Sequence, residues 1–467
     1  MKKLLLLLAL FIFIGSSQAT IRGVPGQYAT IQAAMDASVN TDTVLVDPGT
    51  YFENINFKGK NIVVTGRFFI TGDPATIYST IINGSTPLVP DSGSCVRIFK
   101  HEDSTCVLQG FNITGGTGTK WQDEHSAGRF REGGGILVDS ASPTIKYNII
   151  HDNILAVDPA PIVSHGGGGL RIGDCYVRLY NNVVYNNTGI YGPGIVLNFA
   201  GCDMKNNVIC NNYGAQPIYG GGGGMWINST STRPKNIENN TIAFNSGATG
   251  AYGGIYVYGG TGINFKNNII WGNSGAAQFG GGSATVTYSD VQGGHAGAGN
   301  LNLDPMFADS NFYLTTGSPC VDAGDSSYIY NDPPNPGDTT MALYPSKGTR
   351  RNDMGAYGGP QRVVLSTQII GIHQVSSNVP KGFTLEQNYP NPFNPTTSIL
   401  YQLPKSGFVS LRLYDIAGRQ VGILINSIQQ AGTYKFDFNA SNLPSGVYFY
   451  KLESNGFSAT KKMILVK

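Results

Sequence analysis

The sequence is poor in charge, in long apolar runs and in closely spaced cysteines. Only 13% of its 467 residues are charged and the formal net charge is +2, so it lacks the basic field that nucleic acids bind. Its six cysteines include no CxxC pair, which argues against a zinc site. Beyond the first residues, no segment approaches the roughly 20 apolar residues of a membrane-spanning helix. These shortages argue against a nucleic-acid-binding protein, a zinc protein and a polytopic membrane protein.

The start of the chain has the pattern of a secretory signal. Two lysines precede an apolar run from Leu4 to Ile14, and small residues follow as far as Ala19. The run is too short to cross a bilayer, so it predicts a signal peptide over residues 1–19 that is removed on export. The mature protein is then extracellular or held on the outer-membrane surface.

An oxidising location leaves two interpretations of the cysteines open. Cys95 and Cys106 are the best candidate pair for a disulfide, and Cys175 and Cys202 could meet on neighbouring turns of the chain. Alternatively, all six are buried thiols that fill an apolar core.

Glycine is abundant, with 63 residues, and asparagine and tyrosine recur throughout. This composition suits short strands and tight turns, and it predicts an all-β protein. The middle of the chain also repeats. An Asn-x-x-x-x-Asn motif alternates with a glycine run that precedes an apolar strand, and successive motifs start 25 to 34 residues apart. The five motifs begin at Asn148, Asn182, Asn207, Asn240 and Asn268.

This repeat predicts a solenoid, in which each coil buries its apolar residues only by stacking on its neighbours, about 4.8 Å apart. Asparagine tolerates left-handed turn conformations, and its amide can bond the equivalent amides above and below in a ladder. A propeller is the competing repeat fold, but its blades need about 40–50 residues. The crossover preference makes the solenoid a right-handed parallel β-helix. Thr30 is expected to cap a short helix that covers its first coil.

Two stretches of the predicted solenoid, residues 20–360, resemble known families. Residues 28–62 resemble the start of pectinesterase-like and other pectin-lyase-like right-handed β-helix proteins, which implies the fold but no particular activity. Residues 303–357 resemble the closing segment of bacterial surface β-helix proteins. In that segment Asp322, Asp325 and Asp353 could gather round a calcium ion, or could form turns by bonding their own backbone.

The C-terminal part has a different pattern. Residues 361–383 are predicted to be a linker, and residues 384–467 contain short alternating strands that predict an immunoglobulin-like β-sandwich. Tyr389–Phe393, Leu413–Arg419 and Leu443–Tyr448 resemble the type IX secretion system C-terminal sorting domain. The resemblance implies passage across the outer membrane by that machinery, often followed by removal of the module and attachment to surface lipopolysaccharide.

Any chemistry is expected on loops that stack along the outside of the coils. The loops at 120–132 and 152–165 are equivalent in the repeat, so they should lie side by side. A lyase needs a base and a cation, and a hydrolase needs two carboxyl groups at a set separation; no spacing here specifies either. The candidate catalytic residues are Asp123, Glu124, His125, Arg129, Arg131, Glu132, Asp152, Asp158 and His165.

Later loops are aromatic and could stack against sugar rings or cover the core. The candidate ligand-binding residues are Trp121, Tyr191, Tyr213, Tyr219 and Tyr252, with Trp226 and Trp271 nearby. Because no pectinesterase or lyase signature is present, the favoured function is polysaccharide binding or adhesion by a monomer. A polysaccharide lyase or glycoside hydrolase is the alternative.

Overall fold

The computed structural model describes residues 19–122, 125, 128–156, 158, 162–216, 218–229, 233–308, 311–363, 372–376, 379–405, 407–429, 431–440 and 443–466. The predicted signal peptide therefore lies, apart from Ala19, outside the described residues. Within these ranges no helix is long and apolar enough to span a membrane.

Three long parallel sheets, which we name A, B and C, form a β-helix. Each full coil contributes one strand to each sheet, as in the coil with Ile136–Asp139 in sheet C, Thr144–Lys146 in sheet A and Ile149–His151 in sheet B. One side chain in two along each strand points inward, and these residues form a continuous apolar core through the coils. The predicted all-β fold with a right-handed parallel β-helix is confirmed.

The strands follow one another in register through each sheet. Sheet A contains Ile21–Val24, Thr43–Val46, Val63–Gly66, Val107–Gln109, Thr144–Lys146, Tyr176–Tyr180, Gly201–Lys205, Lys235–Glu238, Ile263–Lys266 and Thr285–Thr287. Sheet B contains Gly49–Tyr51, Thr80–Asn83, Asn112–Thr114, Ile149–His151, Val183–Tyr185, Val208–Cys210, Thr241–Ala243, Ile269–Trp271 and Asp290–Val291. Sheet C contains Ile55–Asn56, Val96–Ile98, Ile136–Asp139, Leu170–Gly173, Ile195–Asn198, Met225–Ser229, Ile255–Gly260 and Phe279–Gly281.

Smaller sheets and short helices lie outside the three main sheets. A loop sheet consists of Ser92–Gly93, Gly118–Gln122, Arg129–Glu132 and Ile162–Ser164. Two strand pairs are Thr188–Gly189 with Tyr213–Gly214, and Pro334–Asn335 with Asp338–Ala342. The helices are Ile31–Ala37, Phe68–Thr71 and Ala75–Ser79, with short 3-10 turns at Ile218–Gly220 and Tyr328–Tyr330. The hydroxyl of Thr30 accepts a hydrogen bond from the Ala33 N–H, so the predicted helix cap is confirmed.

The repeated asparagines form two ladders, one at each end of the sheet B strands. In each ladder the side-chain N–H of one asparagine donates to the side-chain oxygen of the next, over 2.9–3.2 Å. All ten side chains are buried. The first ladder contains Asn148, Asn182, Asn207, Asn240 and Asn268, and the second contains Asn153, Asn187, Asn212, Asn245 and Asn273.

The ladder prediction is confirmed, but the left-handed conformation belongs to the residue before each ladder asparagine. Beside the first ladder these residues have φ between +51° and +58°. They are Tyr147, Asn181, Asn206, Asn239 and Asn267. In each turn the first residue takes the left-handed conformation that turns the chain, and the asparagine after it forms the hydrogen bonds to the neighbouring coils.

Residues 311–363, which overlap the predicted closing segment at 303–357 and are called the closing segment from here on, run back along the outside of the solenoid. Its contacts step from coil to coil through the left-handed asparagines. The pairs are Asp325 N–H to Asn267 Oδ1 (2.8 Å), Asn239 Nδ2 to Asn352 Oδ1 (3.1 Å), Asn206 Nδ2 to the Ala356 carbonyl (3.0 Å) and Val363 N–H to Asn181 Oδ1 (2.8 Å). With Phe312 and Ala356 it buries the outward apolar residues of sheet B, including Val183 and Val208.

The aspartates proposed for calcium have other partners. The Asp322 carboxylate accepts from the Thr349 N–H and hydroxyl, and Asp325 pairs with the Lys266 amine at 2.8 Å. The two oxygens of Asp353 accept from backbone N–H groups of the segment itself. Within the described ranges no three His, Cys, Asp or Glu side chains are arranged to hold a metal ion. The turn-forming interpretation holds for Asp325, which accepts from the Ser327 N–H two residues on, whereas Asp322 and Asp353 bond more distant parts of the closing segment.

Both predicted disulfides are absent. All six cysteines are free and buried, and burial raises the pKa of Cys95 and of Cys175 to about 12. Burial stabilises the neutral thiol. The alternative interpretation, thiols that fill the core, matches the structure.

The C-terminal domain has two four-stranded antiparallel sheets around a shared core that includes Tyr401, Leu411 and Tyr450. One sheet contains Ile372–Ser376, Gly432–Asn439, Thr396–Leu403 and Thr384–Leu385; the other contains Gln420–Gln429, Gly407–Asp415, Gly446–Ser454 and Phe457–Leu465. The predicted β-sandwich is confirmed. The predicted linker is corrected in part, because Ile372–Ser376 pairs with Gly432–Asn439 as a strand of the domain.

Two neighbouring buried carboxyl groups give the closing segment a pH dependence. Burial, and then the charge of Asp353, raises the pKa of Asp332 above the usual carboxyl range, and burial raises the pKa of Asp353. The folded state therefore holds more protons than the unfolded chain above the usual carboxyl pKa, and stability falls as pH rises through this window. We expect the melting temperature to fall from about pH 5 to about pH 9.

The variant Asp332→Asn isolates this contribution, because it removes the titrating proton. The Gly359 and Asp353 N–H groups bond different oxygens of Asp332, so the asparagine oxygen keeps one of these two hydrogen bonds and loses the other, a cost in stability that does not change with pH. The fall in melting temperature should be smaller in the variant than in the parent. An equal or steeper fall in Asp332→Asn would remove this pair as the cause.

Candidate functional site

The polar loops fold into the loop sheet, which covers the outside of sheet C over the first coils. Gly118–Gln122 pairs antiparallel with Arg129–Glu132, which pairs parallel with Ile162–Ser164 from the next coil. Equivalent loops therefore do lie side by side. They form a wall of strands instead of an open polar groove.

A buried charged cluster fixes this wall to sheet C. The guanidinium of Arg171, which is fully buried, lies 3.0 Å from the Glu132 carboxylate and 2.5 Å from Asp139, and it sits 4.3 Å over the Trp121 ring. The Glu132 carboxylate also accepts from the Tyr191 hydroxyl at 2.5 Å and from the Trp121 N–H at 3.2 Å. Neither Trp121 nor Tyr191 is therefore an exposed sugar platform.

A second network, made of ion pairs, joins the loop sheet to carboxylates in the adjacent loops. Arg131 bonds the Asp158 carboxylate through two nitrogens and reaches Asp91 at 3.1 Å, while the Lys120 amine lies 3.2 Å from both carboxylates. The hydrogen bond from Arg131 is the main cause of a lowered pKa at Asp158. His165 lies 3.8 Å from Asp158, and burial lowers its pKa. The cations and carboxylates of this network neutralise one another.

The remaining candidate catalytic residues are dispersed. His125 bonds Asp174 at 2.9 Å and stacks on Phe199 with ring centres 4.1 Å apart. Asp152 bonds its neighbour His151. Arg129 is exposed at the start of an inner strand of the loop sheet, and Asp123 and Glu124 lie outside the described residues. The structure thus joins Arg131 with Asp158 and His165, and Glu132 with Arg171, but it does not gather all nine predicted residues.

Beyond the wall, sheet C carries an aromatic shelf, which we define as Tyr219, Trp226, Tyr252, Tyr256 and Tyr258. The Trp226 ring is 5.4 Å from Tyr258, Tyr219 is 6.2 Å from Tyr258, and Tyr252 stacks on Tyr256 at 5.0 Å. Trp226 is buried as the floor, whereas Tyr258 is 53% exposed and Tyr219 is 37% exposed. The shelf therefore offers ring surfaces to solvent on a rigid support.

Tyr258 lies on the outward face of its strand, at a β-bulge. Ile255 and Val257 are buried whereas Tyr256 and Tyr258 alternate with them, so strand periodicity directs Tyr258 toward solvent beside Trp226. Ile227 faces Val257 across the coils, but the next residue, Asn228, faces Gly259, so Tyr258 is the extra residue of the bulge.

Glycines let the other tyrosines lie close to the backbone. A Cβ atom at Gly280 would come within 1.8 Å of the Tyr252 ring, and one at Gly220 within 2.3 Å of the Tyr256 ring. Any side chain at these positions would displace the rings, so the positions of Tyr252 and Tyr256 in the shelf depend on these glycines.

The predicted ligand-binding residues are thus divided. Tyr219 and Tyr252 belong to the shelf, and Tyr213 is half-buried in a strand pair with Thr188. Trp271 packs beside the closing segment. Sequence analysis missed Tyr256 and Tyr258; the alternation of tyrosine with apolar residues over Ile255–Tyr258, a strand with one outward face, was the available signal.

Two family models match the chain. Residues 387–467 match the secretion system C-terminal sorting domain, which implies interaction with the type IX secretion machinery and delivery to the cell surface or the extracellular space. A search of curated proteins finds no match. Residues 41–293, more than half of the chain, match the right-handed β-helix region. With its stacked parallel sheets, the protein belongs to the right-handed β-helix family and carries a type IX sorting domain.

Proposed function

We propose that this exported β-helix protein binds an extracellular polysaccharide along the aromatic shelf. The exposed tyrosine rings beside Trp226 carry the proposal. An aromatic ring packs against the apolar face of a sugar, and the tyrosine hydroxyl can bond the sugar hydroxyls at its rim. A secreted location provides access to such ligands.

The rigidity of the shelf supports this role. The rings rest on strands that pair in register from coil to coil, and Trp226 donates a hydrogen bond to the Tyr219 carbonyl at 3.0 Å. A site on fixed strands loses little conformational freedom when it binds an extended ligand. Lys120 and Arg131 of the loop sheet are held in ion pairs with Asp91 and Asp158, and Glu132 is held by Arg171, so the shelf is the better candidate for ligand contact.

The export route completes the proposal. Residues 1–19 act as a cleaved signal peptide, and the sorting domain then directs the protein through the outer membrane. The β-helix acts at the surface as a binding or adhesive module.

The variant Tyr258→Ala is expected to weaken polysaccharide binding about three- to tenfold, because one stacking ring contributes roughly 0.5–1.5 kcal/mol. Affinity electrophoresis against a panel of soluble polysaccharides, followed by calorimetry on those retained, measures the change. Circular dichroism should show an unaltered fold, since the side chain is largely in solvent.

Tyr328→Ala is the matched control. Tyr328 is 82% exposed and belongs to the closing segment, outside the shelf, so its removal should leave affinity unchanged. If both variants bind like the parent protein, or if no polysaccharide is retained, the shelf is not the binding site.

A further inference from the structure

The last coils of the β-helix concentrate their charge on one side. Between residues 182 and 289 the sequence contains only six charged residues and no histidine. Five of them lie on sheet A strands and the sixth, Arg233, lies in the turn that precedes one. The six are Asp203, Lys205, Arg233, Lys235, Glu238 and Lys266.

The shelf stands on the charge-free side. Its five aromatic residues come from sheet C and from the loops between sheets B and C, and over these coils neither contains a charged side chain. Arg233 points away from the shelf, toward the corner between sheets C and A, where it bonds the Phe199 carbonyl at 3.2 Å.

The first coils differ. Their loop sheet contains Lys120, Arg129, Arg131 and Glu132, and the contact between Glu132 and Tyr191 marks the point where charge ends and the aromatic surface begins. Sheet C also contains Arg97, Asp139 and Arg171 in the first coils and no charged residue in its later strands, so the fold does not require the change. It points to a ligand that the last coils meet and the first coils do not.

A uronate polymer is a poor ligand for such a surface. Each carboxylate loses hydration on contact and needs a cation or several hydrogen-bond donors in return. The face of a tyrosine ring carries partial negative charge, so it attracts cations and repels anions. A neutral sugar has neither cost, because its C–H face packs on the ring and its hydroxyls bond uncharged polar groups.

We propose that the aromatic shelf binds a neutral polysaccharide and discriminates against uronate-containing polymers. This inference rests on the proposed function and narrows it to one ligand class.

The test uses the full mature chain and polysaccharides matched in everything except charge. Polygalacturonate and alginate are each compared with their carboxyl-reduced, neutral forms, alongside neutral glucans, mannans and xylans. Affinity electrophoresis and calorimetry are run at about 0.05 M and about 0.5 M salt, which shortens the screening length several-fold. Tyr258→Ala identifies binding that belongs to the shelf.

We expect retention by neutral polymers only, with less than about twofold change in affinity between the two salt concentrations, and weaker retention of Tyr258→Ala. Tighter binding to an acidic polymer than to its reduced form, sensitive to both salt and Tyr258→Ala, would overturn this inference and leave polysaccharide binding in place. Retention by no polymer would overturn the proposed function, and the inference with it.

Discussion

Asn212→Gly is expected to lower the free energy of unfolding by about 3–5 kcal/mol, because several buried groups lose their partners together. The Asn212 amide nitrogen donates to the Val184 and Cys210 carbonyls and to the Asn245 side chain. Its oxygen accepts from the backbone and the side chain of Asn187. No water reaches this position, since the side chain is fully buried. Urea unfolding followed by circular dichroism measures the loss.

Asn211→Gly is the matched control, with the same substitution one residue earlier. Asn211 has φ +53°, a conformation that glycine adopts without strain. We expect a change within about 1 kcal/mol of zero. Equal losses in the two variants would mean that the ladder contributes nothing beyond the backbone preference of asparagine.

Glu132→Ala is expected to cost about 3–5 kcal/mol, because it leaves a buried cation short of a partner. Arg171 would keep Asp139 but lose the Glu132 carboxylate, and the Tyr191 hydroxyl and the Trp121 N–H would lose their acceptor. Glu132→Gln should cost less, since its amide oxygen can still accept from Arg171 and the Trp121 N–H, which share one oxygen of Glu132, while its amide N–H can donate to the Tyr191 hydroxyl. Thermal and urea unfolding report both variants.

Asp36→Ala is the control for a salt bridge in solvent. Asp36 and Lys58 pair at 2.7 Å with both side chains half-exposed, and such pairs contribute roughly 0–1 kcal/mol. A comparable loss in Asp36→Ala would show that burial is not what makes the Glu132 cluster important. Glu132 was also a candidate catalytic residue. If a Glu132 variant unfolds, its loss of any activity would be explained by lost folding and would not show that Glu132 takes part in catalysis.

The ladders could be predicted because they repeat, but their backbone conformation could not. Four copies of the first ladder have adjacent asparagines, such as Asn181 and Asn182, and either residue suits a left-handed turn. Only the stacking of the coils decides which side chain is buried. Tyr147, before the first asparagine of the first ladder, and Phe244, before Asn245 of the second ladder, also take the left-handed conformation. Neither residue type favours it, so tertiary packing overrides local preference.

The candidate site was less accessible to sequence analysis, because its geometry depends on pairing between distant strands. The segments 118–122 and 129–132 are polar enough for a solvated loop, and their burial follows from pairing with Ser92–Gly93 and Ile162–Ser164. The local alternation over Ile255–Tyr258 indicates the outward face of Tyr258, but the bulge at Tyr258 is set by its register against Met225–Ser229. The pairing of the loop sheet and the position of the bulge leave no mark in the local sequence.

The return of the closing segment along the coils has a consequence for the order of folding. Coil stacking joins residues 25 to 34 positions apart, whereas the contact of Asn206 with Ala356 spans 150 residues and that of Asn181 with Val363 spans 182. Coils can therefore assemble one after another as synthesis of the chain proceeds. The contacts between the closing segment and sheet B form only after most of the chain is present. Until then the apolar outer row of sheet B faces solvent, so a chain that stops before residue 311 should associate with other copies of itself.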